Sequence, residues 1–320
     1  MKTLRHFLEY VAVRTVQQGV RLLPWSVVTA SGRALGWAFY VFDRPHRRLA
    51  ISNLQSAFPL RSEAECRAIA RATWAHFGQL LFELLKFSSL APDRIRQRVA
   101  FEGRERLEHA LARGKGVLLF TGHFGFWEQH ALAHALGVRP MSVVARALDN
   151  PRLNALLERV RTSTGNSVIY RRGGLRRIMR ALSANKIVAL LIDQHVQASD
   201  AVYVEFFDRP AATTTALGAL ARRTGAPAMP AFALPMGSGR YRLVYEHPVE
   251  PPRDDDAEAL REFTQRCTDV LEMYVRRYPE LWLWMHRRWR DVDPTLAATR
   301  GMFPVAGADR DSDRDKDNEI

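Results

Sequence analysis

From residue 100 onward, short apolar runs alternate with longer segments of helical periodicity. The apolar runs predict strands at 116–121, 141–146, 167–171, 186–192, 228–234 and 240–246. The segments between most of them predict helices at 125–137, 151–164, 174–184 and 213–224. Such alternation is typical of βαβ units, so we predict an α/β fold with a largely parallel central sheet and covering helices. Gly-Ser-Gly separates the last two strands and predicts a hairpin.

The pattern outside this alternating region divides the chain into three parts. Residues 62–88 predict a long, mostly buried helix, and residues 255–278 predict a final amphipathic helix. Residues 306–320 are charged and poor in apolar groups, which predicts disorder. We therefore expect an N-terminal helical segment (1–42), one catalytic domain (43–305) and a disordered charged tail (306–320).

The first 42 residues predict a helical element that associates with a membrane. Glu9, Arg14 and Arg21 interrupt the apolar positions, which argues against a cleavable signal peptide. A clean run of about 18 apolar residues, which a spanning helix needs, is missing from the sequence. At helical spacing one stripe carries Leu4, Leu8, Val11, Leu22 and Leu23. The stripe favours a helix lying in the membrane interface; the alternative is an ordinary amphipathic helix packed on the domain.

The charge of the chain limits the kinds of partner that it can bind. The net charge is +13, and the segment 309–320 contributes six acids and three bases, so the rest of the chain carries about +16 by difference. A basic protein favours an anionic partner. Because no zinc-finger or RNA-binding signature is visible and long apolar stretches lie among the bases, we expect an anionic membrane surface and no nucleic acid. Cys66 and Cys267 are far apart in sequence, which suits free thiols in a reducing compartment.

The candidate chemistry starts in GVLLFTGHFGFWE, residues 116–128. A buried strand ends near Gly122, His123 follows in a turn with Gly125, and Glu128 lies at the start of the next helix. On one continuous helix the two side chains would point about 140° apart, but they can meet if His123 lies in the turn. We expect Glu128 to fix the imidazole tautomer and His123 to act as a general base. The alternative is a histidine that caps the helix and a surface glutamate.

Further blocks follow this motif in order and carry a family resemblance. They are Arg146 with Asp149-Asn150-Pro151, Arg161 with Gly165, LLIDQHV (190–196), VEFFDRPAATTTALGALARRTGAP (204–227) and PELWLWMHRRWR (279–290). Together with His-x4-Glu, residues 5 to 291 resemble the late acyltransferases of lipid A biosynthesis, within the wider group of glycerolipid acyltransferases. The resemblance implies transfer of a fatty acyl chain from an acyl carrier protein thioester to a hydroxyl of a lipid A precursor, without a cofactor, at the cytoplasmic face of the inner membrane.

The resemblance also implies roles for single residues. His123 and Glu128 match the catalytic pair, and we expect Gly125, Arg146, Arg161, Asp193 and Gln194 to bind substrate. Arginine suits an anionic head group because it can hold phosphate bidentately. The cluster RRGGLRR (171–177) is a weaker candidate for the same task. Solvated surface arginines, and a structural role for Asp193 with Gln194, are the alternatives.

Several alternatives stay open at this point. Related enzymes act on other anionic glycolipids, such as acylated inositol mannosides. The same base could activate water in a thioesterase or a metal-dependent esterase, and a non-catalytic lipid-binding protein is a third class. His130 and His134 share one helical face, as in zinc-binding helices, but H-E-x-x-H is missing and we predict no metal. Phe206 and Phe207 could line an acyl pocket or the core, and the tryptophans of 279–290 could lie at the lipid interface or in the core.

Overall fold

The structure is a computed structural model that describes residues 2–196, 201–252, 254 and 256–290. Four helices come first along the chain: α1 (Lys2–Leu22), α2 (Trp25–Phe42), α3 (Arg44–Ala57) and α4 (Glu63–Phe87). None of the helices within the described ranges is long and apolar enough to cross a membrane. The predicted disordered tail, and the end of the predicted catalytic domain beyond 290, lie outside the described residues.

The centre of the protein is a seven-stranded sheet with a separate two-stranded hairpin. The strands are β1 (Val99–Glu102), β2 (Val117–Thr121), β3 (Met141–Ala145), β4 (Ser167–Tyr170), β5 (Ile187–Leu191), β6 (Ala201–Glu205), β7 (Pro210–Thr214), β8 (Ala228–Gly237) and β9 (Arg240–Tyr245). The order in the large sheet is β1-β9-β8-β2-β5-β3-β4. Every neighbouring pair in it is parallel except β8 with β9. The carboxyl ends of β2 and β5 therefore lie side by side, where α/β sheets bind ligands.

Helices cover both faces of this sheet. They are α5 (Pro92–Arg96), α6 (Arg104–Ala112), α7 (Trp127–Gly137), α8 (Pro151–Thr162), α9 (Leu175–Ser183), α10 (Ala216–Thr224) and α11 (Ala257–Arg277). Leu118 and Phe120 of β2 pack in one core cluster with side chains of α3, α9, α10 and α11. Val117 and Leu119 pack in a second cluster with side chains of α6, α7 and α8. Alternate residues of a central strand thus serve two cores, which is why its sequence is apolar throughout.

The α/β prediction is confirmed, with a mostly parallel sheet, covering helices and N-terminal helices. The predicted hairpin is confirmed as β8 and β9. The predicted helix 213–224 is wrong at its start, because residues up to Thr214 pair with β6 and α10 begins at Ala216. The sequence analysis also missed β1, which has four residues of alternating partial burial. An edge strand this short presents no continuous apolar run.

The N-terminal helices are joined closely to the rest of the molecule. Gly32 and Gly36 of α2 face Gly78 of α4, and a Cβ atom on any of the three would overlap with the backbone of the other helix. Small residues at this spacing let two helix backbones approach each other. Because α4 also packs on both core clusters, α2 is part of a continuous packed body.

Candidate active site

His123 lies in the tight turn between β2 and α7. The turn needs glycine at Gly125, where φ is +60° and a Cβ atom would overlap with the carbonyl oxygen of Ala233. The amide of Phe126 donates to that same carbonyl at 3.0 Å. Gly125 therefore lets the turn run directly against β8, and this contact fixes the backbone that carries His123.

Asp193 is the carboxylate that holds His123. Nδ1 of His123 donates to Oδ1 of Asp193 at 2.8 Å, and the backbone N–H of His123 donates to Oδ2 at 2.7 Å. The indole N–H of Trp282 donates to Oδ2 at 2.8 Å. The two residues meet because Asp193 follows β5, which is the parallel neighbour of β2. With the proton on Nδ1, the lone pair of Nε2 is left to act as a base.

The environment of the pair tunes both groups. Burial alone would lower the pKa of His123, but the negative charge of Asp193 and its hydrogen bond outweigh burial and raise the pKa above its usual value. Burial likewise opposes ionisation of Asp193, yet the charge and hydrogen bonds of His123 and the bond from Trp282 lower the pKa of this carboxyl. Asp193 therefore stays ionised and favours the protonated imidazole.

Glu128 has a different partner from the one expected. It lies in the first turn of α7 and makes a two-pronged pair with Arg161 in the last turn of α8, with Nε donating to Oε2 at 3.0 Å and the second nitrogen donating to Oε1. Both side chains are mostly buried. The expectation that Glu128 fixes the tautomer of His123 is wrong, because Nδ1 of His123 donates to Asp193 and Glu128 pairs with Arg161. Its charge still raises the pKa of His123, after the larger influences of burial and Asp193.

A C-terminal segment, residues 281–286, holds this turn from the other side. The amide of Leu283 donates to the carbonyl of His123 at 3.2 Å, and the amide of Gly125 donates to the carbonyl of Leu281 at 2.9 Å. Trp282 and Trp284 are 1% and 0% exposed, so these tryptophans belong to the core and not to a lipid interface. Sequence reasoning missed the bond from Trp282 to Asp193, although the tryptophan-rich block was visible.

The other predicted substrate-binding residues lie at the same edge of the sheet. A cavity of about 590 Å³ is lined by Ala145, Arg146, Ala147, Tyr170, Arg171 and Arg172. The guanidinium of Arg146 is mostly exposed and lies 3.7 Å from Asp149. Gln194 has an exposed side chain, and its carbonyl accepts from Arg288 at 3.5 Å. Neither Arg146 nor Gln194 hydrogen-bonds the His123–Asp193 pair within the described residues.

The two histidines of α7 face the interior. His130 and His134 are buried, and Nδ1 of His134 hydrogen-bonds the hydroxyl of Tyr245 at 2.6 Å. Burial lowers the pKa of His130 to about 4 and that of His134 well below its usual value, so both are neutral. Over the described ranges, no group of three or more His, Cys, Asp and Glu side chains could hold a metal ion. The metal-free reaction stays a prediction.

Two further sets of buried side chains lie near the site. Phe206 and Phe207 are buried in the first core cluster, which favours core packing over an acyl pocket. Arg288 is 1% exposed and was not singled out from the sequence. Its guanidinium donates to the carbonyl of Ala212 at 2.6 Å and to the hydroxyl of Thr213 at 2.5 Å. It therefore ties β7 to the loop that carries Asp193.

Comparison with known proteins defines the class as an acyltransferase. The family described as bacterial lipid A biosynthesis acyltransferase matches residues 1–291, and the chain belongs to this family. The expected family membership is thereby confirmed, and the match extends over the N-terminal helices as well as the sheet.

Two individual relatives agree with the family. The chain is 28% identical over 296 residues to the lipid A biosynthesis lauroyltransferase of Escherichia coli K12, covering 89% of this chain and 92% of that protein. It is 26% identical over 273 residues to the palmitoleoyltransferase of the same organism, covering 84% and 86%. A solved structure of the 1-acyl-sn-glycerophosphate acyltransferase of Thermotoga maritima covers 79% of this chain and 97% of its own, at 15% identity and a TM-score of 0.36.

Proposed function

We propose that this acyltransferase moves a fatty acyl chain from an acyl carrier protein thioester to a hydroxyl of a lipid A precursor, with His123 as the general base. The observation that carries the proposal is the buried His123–Asp193 pair at the carboxyl edge of the sheet, in a member of the lipid A acyltransferase family. A raised imidazole pKa suits a base that must accept a proton near neutral pH.

The reaction then proceeds by direct transfer. Nε2 of His123 removes the proton of the acceptor hydroxyl while its oxygen attacks the thioester carbonyl carbon. A C–O bond forms, the C–S bond breaks, and the imidazolium passes its proton to the departing thiolate. Asp193 supports the positive charge that forms on the ring, and it keeps Nδ1 protonated throughout. General-base catalysis of this kind contributes roughly 10² to 10⁴-fold.

Glu128 and Arg161 support this base from the neighbouring helices. Their pair joins the start of α7 to the end of α8, and the first turn of α7 directly follows the His123 turn. The negative charge of Glu128 adds to the field that favours the imidazolium. We assign Glu128 to catalysis through this field and through the position of α7, and Asp193 to direct orientation of the base.

The acceptor head group fits the cavity beside Arg146. Arg171 and Arg172 line the same cavity and give it three guanidinium groups that can hold phosphate. The cavity lies near α1, because Asn150, which caps α8, donates to the carbonyl of His6 at 2.9 Å. A lipid whose tails lie in a membrane under α1 would place its phosphates in reach of these arginines. Gln194 completes the proposed substrate surface. Gly125 is buried, its N–H donates to Leu281 and its carbonyl is bonded to His76, so this glycine serves the turn and not the substrate.

The N-terminal helices suit contact with the cytoplasmic face of the inner membrane. Five apolar side chains on α1 and just after it are exposed, namely Leu4, Leu8, Val11, Leu22 and Leu23. On α2 the exposed side chains include Trp37, Phe39 and Phe42. Exposed apolar side chains in this number favour a lipid surface, and the basic charge adds about 1 kcal/mol per well-placed base toward anionic lipid.

Transfer from purified acyl carrier protein thioester to a detergent-dispersed lipid A precursor tests the proposal. His123→Ala should lower kcat by at least about 100-fold, since the base is lost. His46→Ala is a matched control, because Nδ1 of His46 also lies 2.8 Å from a carboxylate oxygen of Asp43, but on the surface. Equal activity of the folded His123→Ala protein would contradict the role of the base.

Lipid analysis identifies the acceptor independently of the base. Mass spectrometry of total lipid should show an added acyl chain on lipid A precursors in cells that express the protein. Acylation of a different glycolipid, with lipid A unchanged, would contradict the proposed acceptor.

A further inference from the structure

The helices α9 and α10 form a surface layer without acidic residues. Residues 171–186 contain six bases and no acid, and residues 210–229 contain two bases and no acid. The two helices are neighbours on one face of the sheet, with Ile178 and Leu182 of α9 and Leu217 and Leu220 of α10 in one core cluster. Their polar sides point outward and concentrate positive charge in one place.

The arginines of α9 are exposed and lack acidic partners. Arg176, Arg177 and Arg180 of α9, like Arg171 and Arg172 just before it, are exposed, and none of them forms an ion pair within the described part of the chain. Elsewhere on the surface, arginines such as Arg67, Arg104 and Arg261 pair with a glutamate on their own helix. The α9 surface differs from these helices because it holds no acid with which its arginines could pair.

The placement of these bases also costs stability. Arg176 and Arg177 lie in the first turn of α9, whose N-cap Gly174 makes no side-chain cap and whose first turn holds no acid. The amino end of a helix carries partial positive charge and disfavours cations. An arrangement that breaks a local rule in this way is expected at a functional site. An anionic partner would remove the cost.

The layer is near the reaction site. Arg171 and Arg172 follow β4, and α9 begins at the carboxyl edge of the sheet, the edge at which His123 lies. In the order β2-β5-β3-β4, three strand spacings separate β4 from the strand before His123. At about 4.8 Å each, this is roughly 14 Å. A donor bound on α9 could reach His123 only with an acyl group on an extended arm.

We infer that the outer face of α9 docks the acyl donor, an acidic protein that carries the acyl thioester on a flexible arm; this inference rests on the proposed function. Arg176, Arg177 and Arg180 would pair with its acids. Leu175, which is 54% exposed among these arginines, would give a small apolar contact. Complementary charge of this kind acts mainly on the rate of encounter and on salt dependence.

A protein fits this surface better than the membrane does. The contact between α1 and α8 lies on the other face of the sheet, because Val160 of α8 packs in the second core cluster and Ile178 of α9 packs in the first. The exposed apolar side chains of α1 and α2 have no counterpart on α9 beyond Leu175. A carrier on α9 and a lipid under α1 would therefore approach His123 from different sides.

Charge reversal with two donors tests the inference. The triple variant Arg176→Glu, Arg177→Glu, Arg180→Glu should raise KM for acyl-acyl carrier protein by at least about tenfold at low salt. Transfer from a small acyl-pantetheine thioester should stay within about twofold, since this donor makes no protein contact. Arg113→Glu, Lys115→Glu, Arg139→Glu is the matched control, because it makes the same charge change at the amino edge of the sheet, where these residues precede β2 and β3.

Binding is measured separately from turnover. Fluorescence anisotropy should show that unacylated carrier protein binds the full-length protein and the control, and binds the triple variant at least about tenfold more weakly. Unchanged carrier binding and unchanged KM in the triple variant would overturn the docking site. An equal loss of transfer with both donors, or a loss of binding to anionic vesicles alone, would also overturn it. Carrier binding that disappears on reversal, in a protein that transfers acyl groups from neither donor, would support docking and contradict the proposed function.

Discussion

Asp193 and Glu128 are two buried carboxylates near one histidine, and they differ in what they bind. Asp193 accepts the imidazole N–H, a backbone N–H and an indole N–H. Glu128 accepts only from the guanidinium of Arg161 among the described residues. Asp193 can stabilise the positive charge that forms when His123 gains a proton. The charge of Glu128 is already neutralised by the permanent cation of Arg161. Glu128, which is close to His123 in sequence, is held by Arg161. Asp193 is distant in sequence, and the pairing of β5 with β2 makes it the carboxylate that holds the proposed base.

Asp193→Asn should give the largest effect that separates the two carboxylates, and this effect is on the pH dependence of activity. In the native protein the activity should rise with pH through a midpoint above 6.5, because the neutral base forms only above the raised pKa of His123. Without the negative charge, burial dominates and the midpoint should fall below 6.5. The activity at high pH should also fall by about 100-fold, because the tautomer is no longer fixed. A kcat/KM profile measures both changes.

The control for that profile is Glu128→Gln. It removes a charge but not the hydrogen bond to Nδ1, so its midpoint should move down much less. A profile of Asp193→Asn that coincides with the native one would contradict the assignment of Asp193 as the orienting carboxylate.

A smaller effect on activity, but a larger one on folding, is expected for Glu128→Gln itself. The change leaves the guanidinium of Arg161 buried without a counter-charge, which costs about 3–5 kcal/mol for a buried pair. We expect about tenfold lower kcat in the protein that remains folded. Chemical denaturation of Glu128→Gln, and of Glu128→Gln with Arg161→Met, measures the free energy of unfolding. The double variant should recover most of the loss; no recovery would show that Glu128 stabilises the fold by other contacts.

The smallest expected effect concerns the third hydrogen bond to Asp193. Trp282→Phe keeps a buried ring and removes one indole N–H, which should lower kcat by about fivefold, the equivalent of one hydrogen bond of about 1 kcal/mol. Trp284→Phe is the matched control, because its indole N–H donates to the carbonyl of Pro279 at 2.6 Å and not to the pair. Equal effects on kcat in the two variants would mean that Trp282 acts through core packing alone.

The sequence allowed much of this architecture to be predicted, for identifiable reasons. The strand around Leu118 is apolar throughout because both of its faces are buried, and the turn at Gly125 needs glycine because β8 passes close to it. The partner of His123 could not be predicted in this way. Asp193 is 70 residues away in sequence, and only the pairing of β2 with β5 brings the two together. The interior position of Trp282 is also a tertiary property, since an aromatic block has the same composition in a core as at a lipid surface.

The glycine contact between α2 and α4 has a consequence for how the protein meets a bilayer. A linker between a membrane element and a catalytic domain would let the reaction centre drift toward and away from the lipid. Here α2 touches α4 backbone to backbone, and His76 of α4 hydrogen-bonds the carbonyl of Gly125 at 3.1 Å. Under the membrane arrangement proposed above, the height of His123 over the head groups is set by a rigid path of two helices. The protein would then select among acceptor hydroxyls by their distance from the membrane surface as well as by their chemistry.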